Sequence, residues 1–247
     1  MNILSTIRPG SNVVVVGATG GIGLSLCSHL AAHDSVKTVF ALSRARFELS
    51  GEKYQAIDFD LLDETSIVKA AEQVAAQAAP DLVIVATGFL HSDDVQPERS
   101  LRELEVDKLL TNFKINTIGP TMVAKHFLPI MRRDGRSVFA VLSARVGSIG
   151  DNRLGGWLSY RSSKAALNMS IATLAIEHRR RCPDGIVVSL HPGTVDTSLS
   201  QPFSSSVPAG KLFSVDLAAR QLLQVIGGLD VDDSGGFFAW DGSPIPY

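Results

Sequence analysis

The chain has little cysteine, no long hydrophobic run and no excess of charge of either sign. Only two of its 247 residues are cysteines, so a disulfide framework and a cysteine-ligated metal site are disfavoured. No stretch approaches the roughly 20 apolar residues of a membrane-spanning helix, and the first 11 residues lack the apolar core of a signal peptide. The net charge of −2 does not favour nucleic acid or an anionic membrane as a partner. We therefore expect a cytoplasmic protein that acts on a small molecule.

Short β-branched runs alternate with longer helical patterns along the whole chain. The predicted strands are Asn12–Val16, Thr38–Leu42, Leu82–Ala86, Ser137–Leu142, Val187–His191 and Gly236–Ala239. The predicted helices are Ile22–His33, Ser66–Ala79, Leu101–Asn116, Gly119–Arg132, Tyr160–Arg180 and Asp216–Ile226. Runs such as Val13–Val16 are apolar on both faces, as strands covered by helices on each side must be. The pattern predicts an α/β fold in which residues 1–247 form one domain, a doubly wound parallel sheet of about seven strands with helices on both faces.

One segment lacks a clear hydrophobic period. Residues Thr197–Leu212 are rich in serine and contain two prolines, a composition typical of a loop. This segment follows the end of a predicted strand, so we expect residues 197–213 to form a lid over the site.

A glycine-rich turn follows the first predicted strand and precedes a helix. Its sequence is Gly17-Ala18-Thr19-Gly20-Gly21-Ile22-Gly23. Glycine allows the backbone to turn sharply and to approach a ligand, and a helix N-terminus attracts the phosphates of a dinucleotide. A tight turn without a ligand is the alternative. The order strand, turn and helix favours dinucleotide binding.

The second predicted strand ends in Ser43-Arg44, where an acidic residue would bind the ribose 2′-hydroxyl of NAD. No acidic residue stands there. Arg44 can instead pair with a 2′-phosphate, and Ser43 can add a hydrogen bond. A solvated surface arginine is the alternative. The sequence favours NADP(H) as the cofactor, with NAD(H) possible.

Tyr160 and Lys164 are four residues apart in a predicted helix, so their side chains share one face. An adjacent ammonium group favours the phenolate and is expected to lower the pKa of the tyrosine. Tyr160 would then be a usable proton donor and acceptor near neutral pH.

With these motifs in place, the chain resembles the short-chain dehydrogenases/reductases over its full length, which implies a Rossmann-type NAD(P)-binding domain. The glycine turn, Asp60-Leu61, Asn116, Tyr160 with Lys164, and His191-Pro192-Gly193-Thr194-Val195-Asp196-Thr197 match that family's motifs in order. The segments Ser143–Gly147, Gly155-Gly156-Trp157 and Phe238–Gly242 look most like C-factor-type proteins and sniffer-like carbonyl reductases.

The resemblance implies a role for each matched residue. Tyr160 would protonate a carbonyl oxygen as hydride arrives, Lys164 would bind the nicotinamide ribose, and Asn116 would anchor a water molecule for proton relay. The residues expected to contact the cofactor are Gly17, Thr19, Gly20, Gly21, Ile22, Gly23, Ser43, Arg44, Asp60, Leu61, Ala86, Thr87, Gly88, Asn116, Tyr160, Lys164, Pro192, Gly193, Val195 and Thr197. The implied activity is reversible reduction of an aldehyde or ketone with NADPH.

Two positions depart from the family pattern. The serine that orients the substrate is replaced by Ala144, and Ser143, with Ser148 as a second choice, is the candidate substitute. Because neighbouring residues on a strand face opposite ways, Ser143 can serve only if the strand has ended or bulges there. The usual Asn-Asn-Ala-Gly after the fourth strand is Val85-Ala86-Thr87-Gly88 here.

Three further expectations concern metals, alternative function and assembly. His29 and His33 share a helix face, but without a third ligand no metal site is predicted. A non-catalytic NADP(H)-binding sensor or signalling protein is the alternative function, suggested by Ala144 and the C-factor likeness. By resemblance, the predicted helices Leu101–Asn116 and Tyr160–Arg180 would form the faces of a homodimer or homotetramer.

Overall fold

A computed structural model describes residues 6–44, 51–206 and 210–247, and for residues 204–206 it describes the backbone alone. A parallel seven-stranded sheet has the strand order β3-β2-β1-β4-β5-β6-β9, and β7 and β8 form a separate pair. The chain adds strands on one side of β1 up to β3 and then continues on the other side with β4. In such folds ligands bind at the carboxyl ends of the strands at this point. The strands are β1 Ser11–Val16, β2 Val36–Ser43, β3 Tyr54–Asp58, β4 Leu82–Val85, β5 Ser137–Leu142, β6 Gly185–His191, β7 Thr194–Val195, β8 Leu212–Phe213 and β9 Phe237–Ala239.

Helices cover both faces of the sheet because the strands are apolar on both sides. Along β1, Val13 and Val15 belong to one hydrophobic cluster, and Val14 and Val16 belong to another. Helices α1 and α6 pack on the first cluster, and α2, α4 and α5 pack on the second. The predicted doubly wound α/β fold is confirmed. The helices are α1 Gly21–Ala32, α2 Glu64–Ala75, α3 Val106–Phe113, α4 Gly119–Phe127, α5 Leu158–Arg179 and α6 Val215–Gly228.

The predicted helix Leu101–Asn116 is wrong as a single element. Residues Leu101–Glu103 form a short 3₁₀ turn, the backbone is extended at Leu104 and Glu105, and α3 begins only at Val106. After α3, residues Lys114–Ile118 form a turn of π-helix that joins α3 to α4. Asn116 lies in this turn, and π-turns inside helices are frequent at functional sites.

Other boundaries differ for local reasons. The predicted helix Gly119–Arg132 ends at Phe127, where a 3₁₀ turn containing Pro129 follows. Helix α2 begins two residues before the predicted Ser66, because the Asp63 carboxylate accepts a hydrogen bond from the backbone N–H of Thr65 at 2.9 Å. Strand β3 was not predicted; it is an edge strand with a single buried residue, Ile57, so its hydrophobic signal is weak.

The fold brings the carboxyl ends of β1, β4, β5 and β6 together at one edge of the sheet.

None of the helices in the described ranges is long and apolar enough to cross a membrane. That residues 1–247 form one domain stays a prediction, and the single large sheet contains strands from Ser11 to Ala239.

Candidate active site

The glycine turn lies directly after β1 and has room for little besides glycine. Gly17 has a φ of +86°, and a Cβ there would lie 3.0 Å from Thr87 Cγ2. A Cβ on Gly23 would lie 2.1 Å from the Gly17 carbonyl oxygen, which no real side chain tolerates. Helix α1 starts at Gly21 without a side-chain cap or an acidic residue in its first turn. The turn thus presents uncapped backbone N–H groups, which fits the pyrophosphate of a dinucleotide.

The residues predicted to hold the adenosine end lie at the ends of β2 and β3. Ser43 is the last residue of β2 and is buried, whereas Arg44 follows it and is exposed. Arg46, the second arginine of this segment, lies outside the described residues. Leu61 packs on the start of α4, where a Cβ on Gly119 would lie only 2.5 Å from Leu61 Cγ.

The β4 segment predicted as the cofactor wall faces a large cavity. The Ala86 N–H donates to the Val16 carbonyl at 2.8 Å, which joins this segment to β1. Ala86, Thr87 and Gly88 all line the cavity. The Thr87 hydroxyl oxygen is buried and has no hydrogen-bond partner among the described residues. A buried polar atom of this kind calls for a partner from a ligand or water.

Tyr160 and Lys164 lie in the first two turns of α5 and line the same cavity, which has a volume of about 460 Å³. Both are buried, with 8% and 2% of their surface exposed. Lys164 Nζ donates a hydrogen bond to the Leu142 carbonyl at 2.9 Å, which ties α5 to the end of β5. The structure therefore brings the predicted proton donor and its lysine to the edge of the sheet where the glycine turn lies.

The expected lowering of the Tyr160 pKa is wrong for the protein without a ligand. Burial raises the pKa of Tyr160 above its ordinary value and lowers the pKa of Lys164 to about 7. Both shifts have one cause, because removal from water disfavours the charged form of each group. The phenol is consequently protonated at neutral pH, which is the state that can give a proton to a carbonyl oxygen.

Asn116 is fully buried and clamps three segments together. Its Oδ1 accepts from the Phe89 N–H at 2.8 Å, and its Nδ2 donates to the Phe89 carbonyl at 2.8 Å. The same Nδ2 lies 3.1 Å from Ser163 Oγ on α5. The Asn116 side chain thus holds the loop after β4 against α5, and its predicted role in a water relay stays a prediction.

The position where the family pattern has a serine is occupied by a methyl group. Ala144 lines the cavity, as does its neighbour Ser143. The Ser143 hydroxyl donates to Asn168 Oδ1 at 2.7 Å. The Ser148 hydroxyl donates to the Pro246 carbonyl, and Ser148 does not line this cavity. The hydroxyls of both candidate substitutes therefore donate within the protein, and the predicted role of Ser143 stays a prediction.

Part of the segment predicted as a lid lines the other side of the cavity. Strands β7 and β8 pair with each other and bring the two ends of residues 197–213 together; residues 207–209 lie outside the described ranges. Lining residues from this region include the predicted Pro192, Gly193, Val195 and Thr197, followed by Leu199, Ser200 and Phe203. A Cβ on Gly21 would lie 3.2 Å from Thr197 Cγ2, so Thr197 lies against the glycine turn. That residues 197–213 act as a lid stays a prediction.

Sequence reasoning missed that Glu98 and Trp157 hold the start of α5. Trp157 has a φ of +51°, unusual for a bulky residue, and its N–H donates to the Glu98 carbonyl at 2.5 Å. The buried Glu98 carboxylate accepts from the Ser159 hydroxyl and from its N–H. The Trp157 ring lies 4.9 Å from the Phe203 ring and 6.5 Å from the Tyr160 ring, between centroids. Only the preceding Gly155-Gly156 pair signals this turn in the sequence.

The family model for short chain dehydrogenase matches residues 11–207. The chain belongs to the short-chain dehydrogenase family. It is accordingly an oxidoreductase that acts on CH–OH or C=O groups with a nicotinamide dinucleotide.

Individual relatives include a C-signal protein and two carbonyl reductases. C-signal of Myxococcus xanthus is 35% identical over 149 residues, which cover 60% of this chain and 84% of that protein. The carbonyl reductase Sniffer of D. melanogaster has the same fold, with a TM-score of 0.84 at 23% identity over 97% of this chain and all of that one. The NADPH-bound carbonyl reductase from chicken fatty liver has a TM-score of 0.84 at 25% identity, covering 99% and 98% of the two chains. The expected likeness to C-factor-type and sniffer-like members of the short-chain dehydrogenases is confirmed.

We predict that Lys164 makes the stability of the ligand-free dehydrogenase rise with pH. An unfolded lysine has a pKa of 10.5 and the buried one a pKa of about 7, so between these values the unfolded chain binds more protons. From pH 7 to pH 9 the free energy of unfolding should rise by about 2 kcal/mol more in wild type than in Lys164→Met. Urea unfolding at each pH measures this difference.

The matched control for this prediction is Lys37→Met, which removes an exposed lysine. Its pH dependence should follow that of the wild type. Parallel pH profiles for wild type and Lys164→Met would contradict a lowered pKa for Lys164.

Proposed function

We propose that this short-chain dehydrogenase is an NADP(H)-dependent carbonyl reductase, which converts an aldehyde or ketone reversibly to an alcohol with Tyr160 as the acid/base group. The observation that carries the proposal is the buried Tyr160–Lys164 pair in one cavity with the glycine-turn residue Ile22 and the β4 segment. A protonated phenol at the wall of an apolar cavity can donate to a carbonyl oxygen and then supply the proton of the new alcohol.

The residues present fit a dinucleotide. The glycine turn and the N-terminus of α1 would hold the pyrophosphate, and Thr87 and Gly88 would line the path towards the nicotinamide end. When bound, the nicotinamide supplies or accepts the hydride. Lys164 would hold the adjacent ribose by hydrogen bonds, while Asn116 keeps the loop after β4 fixed against α5. Glu98 and Trp157 keep the first turn of α5, and with it Tyr160, in place.

The preference for NADP(H) is supported by the end of β2 and by one relative. Ser43-Arg44 offers a buried hydroxyl-bearing residue and an exposed guanidinium where NAD-binding proteins place an acidic residue. The chicken carbonyl reductase was solved with NADPH bound. A planar guanidinium can bind a 2′-phosphate in a bidentate way, which an NAD ribose does not offer.

A cytosolic site of action belongs to the same proposal. It is supported by Cys27 and Cys182, which are buried free thiols. Such thiols suit a reducing compartment.

The first test of the function measures NADPH oxidation with aldehydes, ketones and diketones for wild type and Tyr160→Phe. We expect turnover in wild type and a loss of at least about 10²-fold in kcat for the variant, because general acid catalysis contributes 10²–10⁴-fold. The binding constant for NADPH, from fluorescence titration, should stay the same. NADPH binding without turnover of any substrate would instead favour the sensor alternative that Ala144 suggests.

The second test addresses cofactor choice. Arg44→Ala should raise the KM for NADPH by about tenfold or more and leave the KM for NADH unchanged, because one charge-assisted contact contributes 1.5–3 kcal/mol. Arg102→Ala, which removes another exposed arginine, is the control and should change neither constant. Equal effects of Arg44→Ala on both cofactors would contradict a contact with the 2′-phosphate.

The protein is further proposed to be a homodimer or homotetramer. Helices α3 and α5 pack side by side and expose large apolar side chains, including Leu110 at 50%, Met169 at 68% and Ile176 at 64%. Exposed apolar side chains on neighbouring helices favour burial against another copy.

Light scattering should give at least twice the mass of one chain for the wild type. The double variant Met169→Glu/Ile176→Glu should shift the mass towards that of a monomer. Leu62→Glu, at an apolar residue that is 57% exposed elsewhere, is the control and should not change the mass. A monomeric wild type would contradict the proposal.

A further inference from the structure

Carbonyl reduction places developing negative charge on one oxygen, and this site has one evident donor for it. Tyr160 supplies that donor. The serine that would supply a second one is Ala144, and the hydroxyls of Ser143 and Ser148 donate to Asn168 and Pro246. Preorganised donors at such an oxygen are among the largest contributions to catalysis. A second donor therefore has to come from another polar group that lines the cavity.

Buried side-chain atoms without a partner narrow the choice. Six such atoms occur among the described residues: Thr87 Oγ1, Arg136 Nε, Asn168 Nδ2, Ser189 Oγ, His191 Nδ1 and Gln221 Oε1. Only two of these six, Thr87 and His191, belong to residues that line the cavity containing Tyr160. Thr87 lies against Gly17 of the glycine turn and so belongs to the cofactor end. His191 is therefore the candidate for the substrate end.

The strand register places His191 close to Ala144, the residue without the hydroxyl, but one position from it. Leu142 of β5 pairs with Leu190 of β6, and the Ser143 N–H donates to the Leu190 carbonyl at 2.7 Å. Extending this register by one residue places His191 level with Ser143, the residue directly before Ala144. Side chains alternate along a strand, so His191 faces the same side as Val187, which packs in the hydrophobic cluster of α5. Tyr160 and Lys164 are on that helix.

The His191 imidazole is uncharged at neutral pH and can still donate a hydrogen bond. Burial, with a smaller contribution from Arg145, lowers the pKa of His191 to about 4, while Asp241 opposes the shift. The imidazole is therefore neutral at pH 7 and carries one N–H. A neutral imidazole is able to polarise a carbonyl group in an enzyme site.

We propose that His191 donates, through Nδ1, the second hydrogen bond to the substrate carbonyl oxygen and so replaces the serine absent at Ala144. The inference rests on the proposed reductase function. The imidazole keeps its proton throughout, since Tyr160 supplies the proton that the alcohol gains. His191 acts by orienting the carbonyl group and by stabilising the charge that develops on its oxygen.

Three variants at two positions test this role with benzil as the ketone. His191→Leu removes the donor and should lower kcat about 10²-fold, because loss of one such donor costs 10²–10³-fold. His191→Asn keeps an amide N–H near the position of Nδ1 and should retain activity within about tenfold of wild type. Adding Ala144→Ser to His191→Leu should restore kcat at least about tenfold, which a merely structural role for His191 would not allow.

The control is His126→Leu, which removes a histidine that contacts Glu64 and does not line the cavity, and it should leave kcat unchanged. Unfolding temperature and NADPH affinity should be equal in all variants. If wild type reduces benzil in a Tyr160-dependent way and His191→Leu has the same kcat, the role of His191 is overturned while the reductase function stands.

A binding experiment that needs no turnover tests the His191 contact separately from the reductase function. In ¹⁵N-histidine-labelled Tyr160→Phe saturated with NADPH, the Nδ1 resonance of His191, assigned by its loss in His191→Asn, should shift when benzil is added. A shift in Tyr160→Phe, together with a wild type that reduces none of the aldehydes, ketones and diketones, would support the contact and reject the reductase function. No shift would overturn the contact, whatever the activity.

Discussion

The exclusion of water from the Lys164 amino group is the constraint on which the rest of the site depends. The group is almost fully buried and has one carbonyl, that of Leu142, within hydrogen-bond distance in the described chain. Burial brings its pKa down to about 7 and pushes that of Tyr160 up. Neither charged form is favoured until another group enters the cavity, so the lysine and the phenol are set to respond to cofactor and substrate.

Keeping these two groups buried requires that the first turns of α5 be held from outside the helix. Glu98 caps the helix through Ser159 and fixes Trp157 in a left-handed conformation. From the other side, Asn116 in the π-turn holds the loop after β4 against Ser163. A rigid frame of this kind keeps the phenol oxygen in place, and small displacements of reacting groups have large effects on rate.

Sequence reasoning succeeded where the determinants are local and failed where they are distant. The glycine turn and the Tyr160–Lys164 spacing were readable because strand, turn and helix impose fixed offsets on neighbouring residues. The contact between Glu98 and Ser159 joins residues 61 apart, which no local period reveals. The π-turn at Asn116 escaped for the same reason, since its side chain contacts Phe89 and Ser163, which are 27 and 47 residues away. The pKa of Tyr160 was misjudged because spacing predicts a neighbouring charge but does not predict burial.

The end of β5 determines which hydroxyl groups lie near Ala144. Sequence reasoning correctly noted that Ser143 could serve only if β5 had ended, and β5 does end at Leu142. The Ser143 hydroxyl nevertheless donates to Asn168, one helical turn beyond Lys164, so the end of the strand did not free it. A donor missing just after β5 can be replaced by a side chain on the neighbouring strand at nearly the same height. Because the residues of parallel strands lie level with one another, extending the pairing of Leu142 with Leu190 places His191 of β6 next to Ser143, one residue from Ala144.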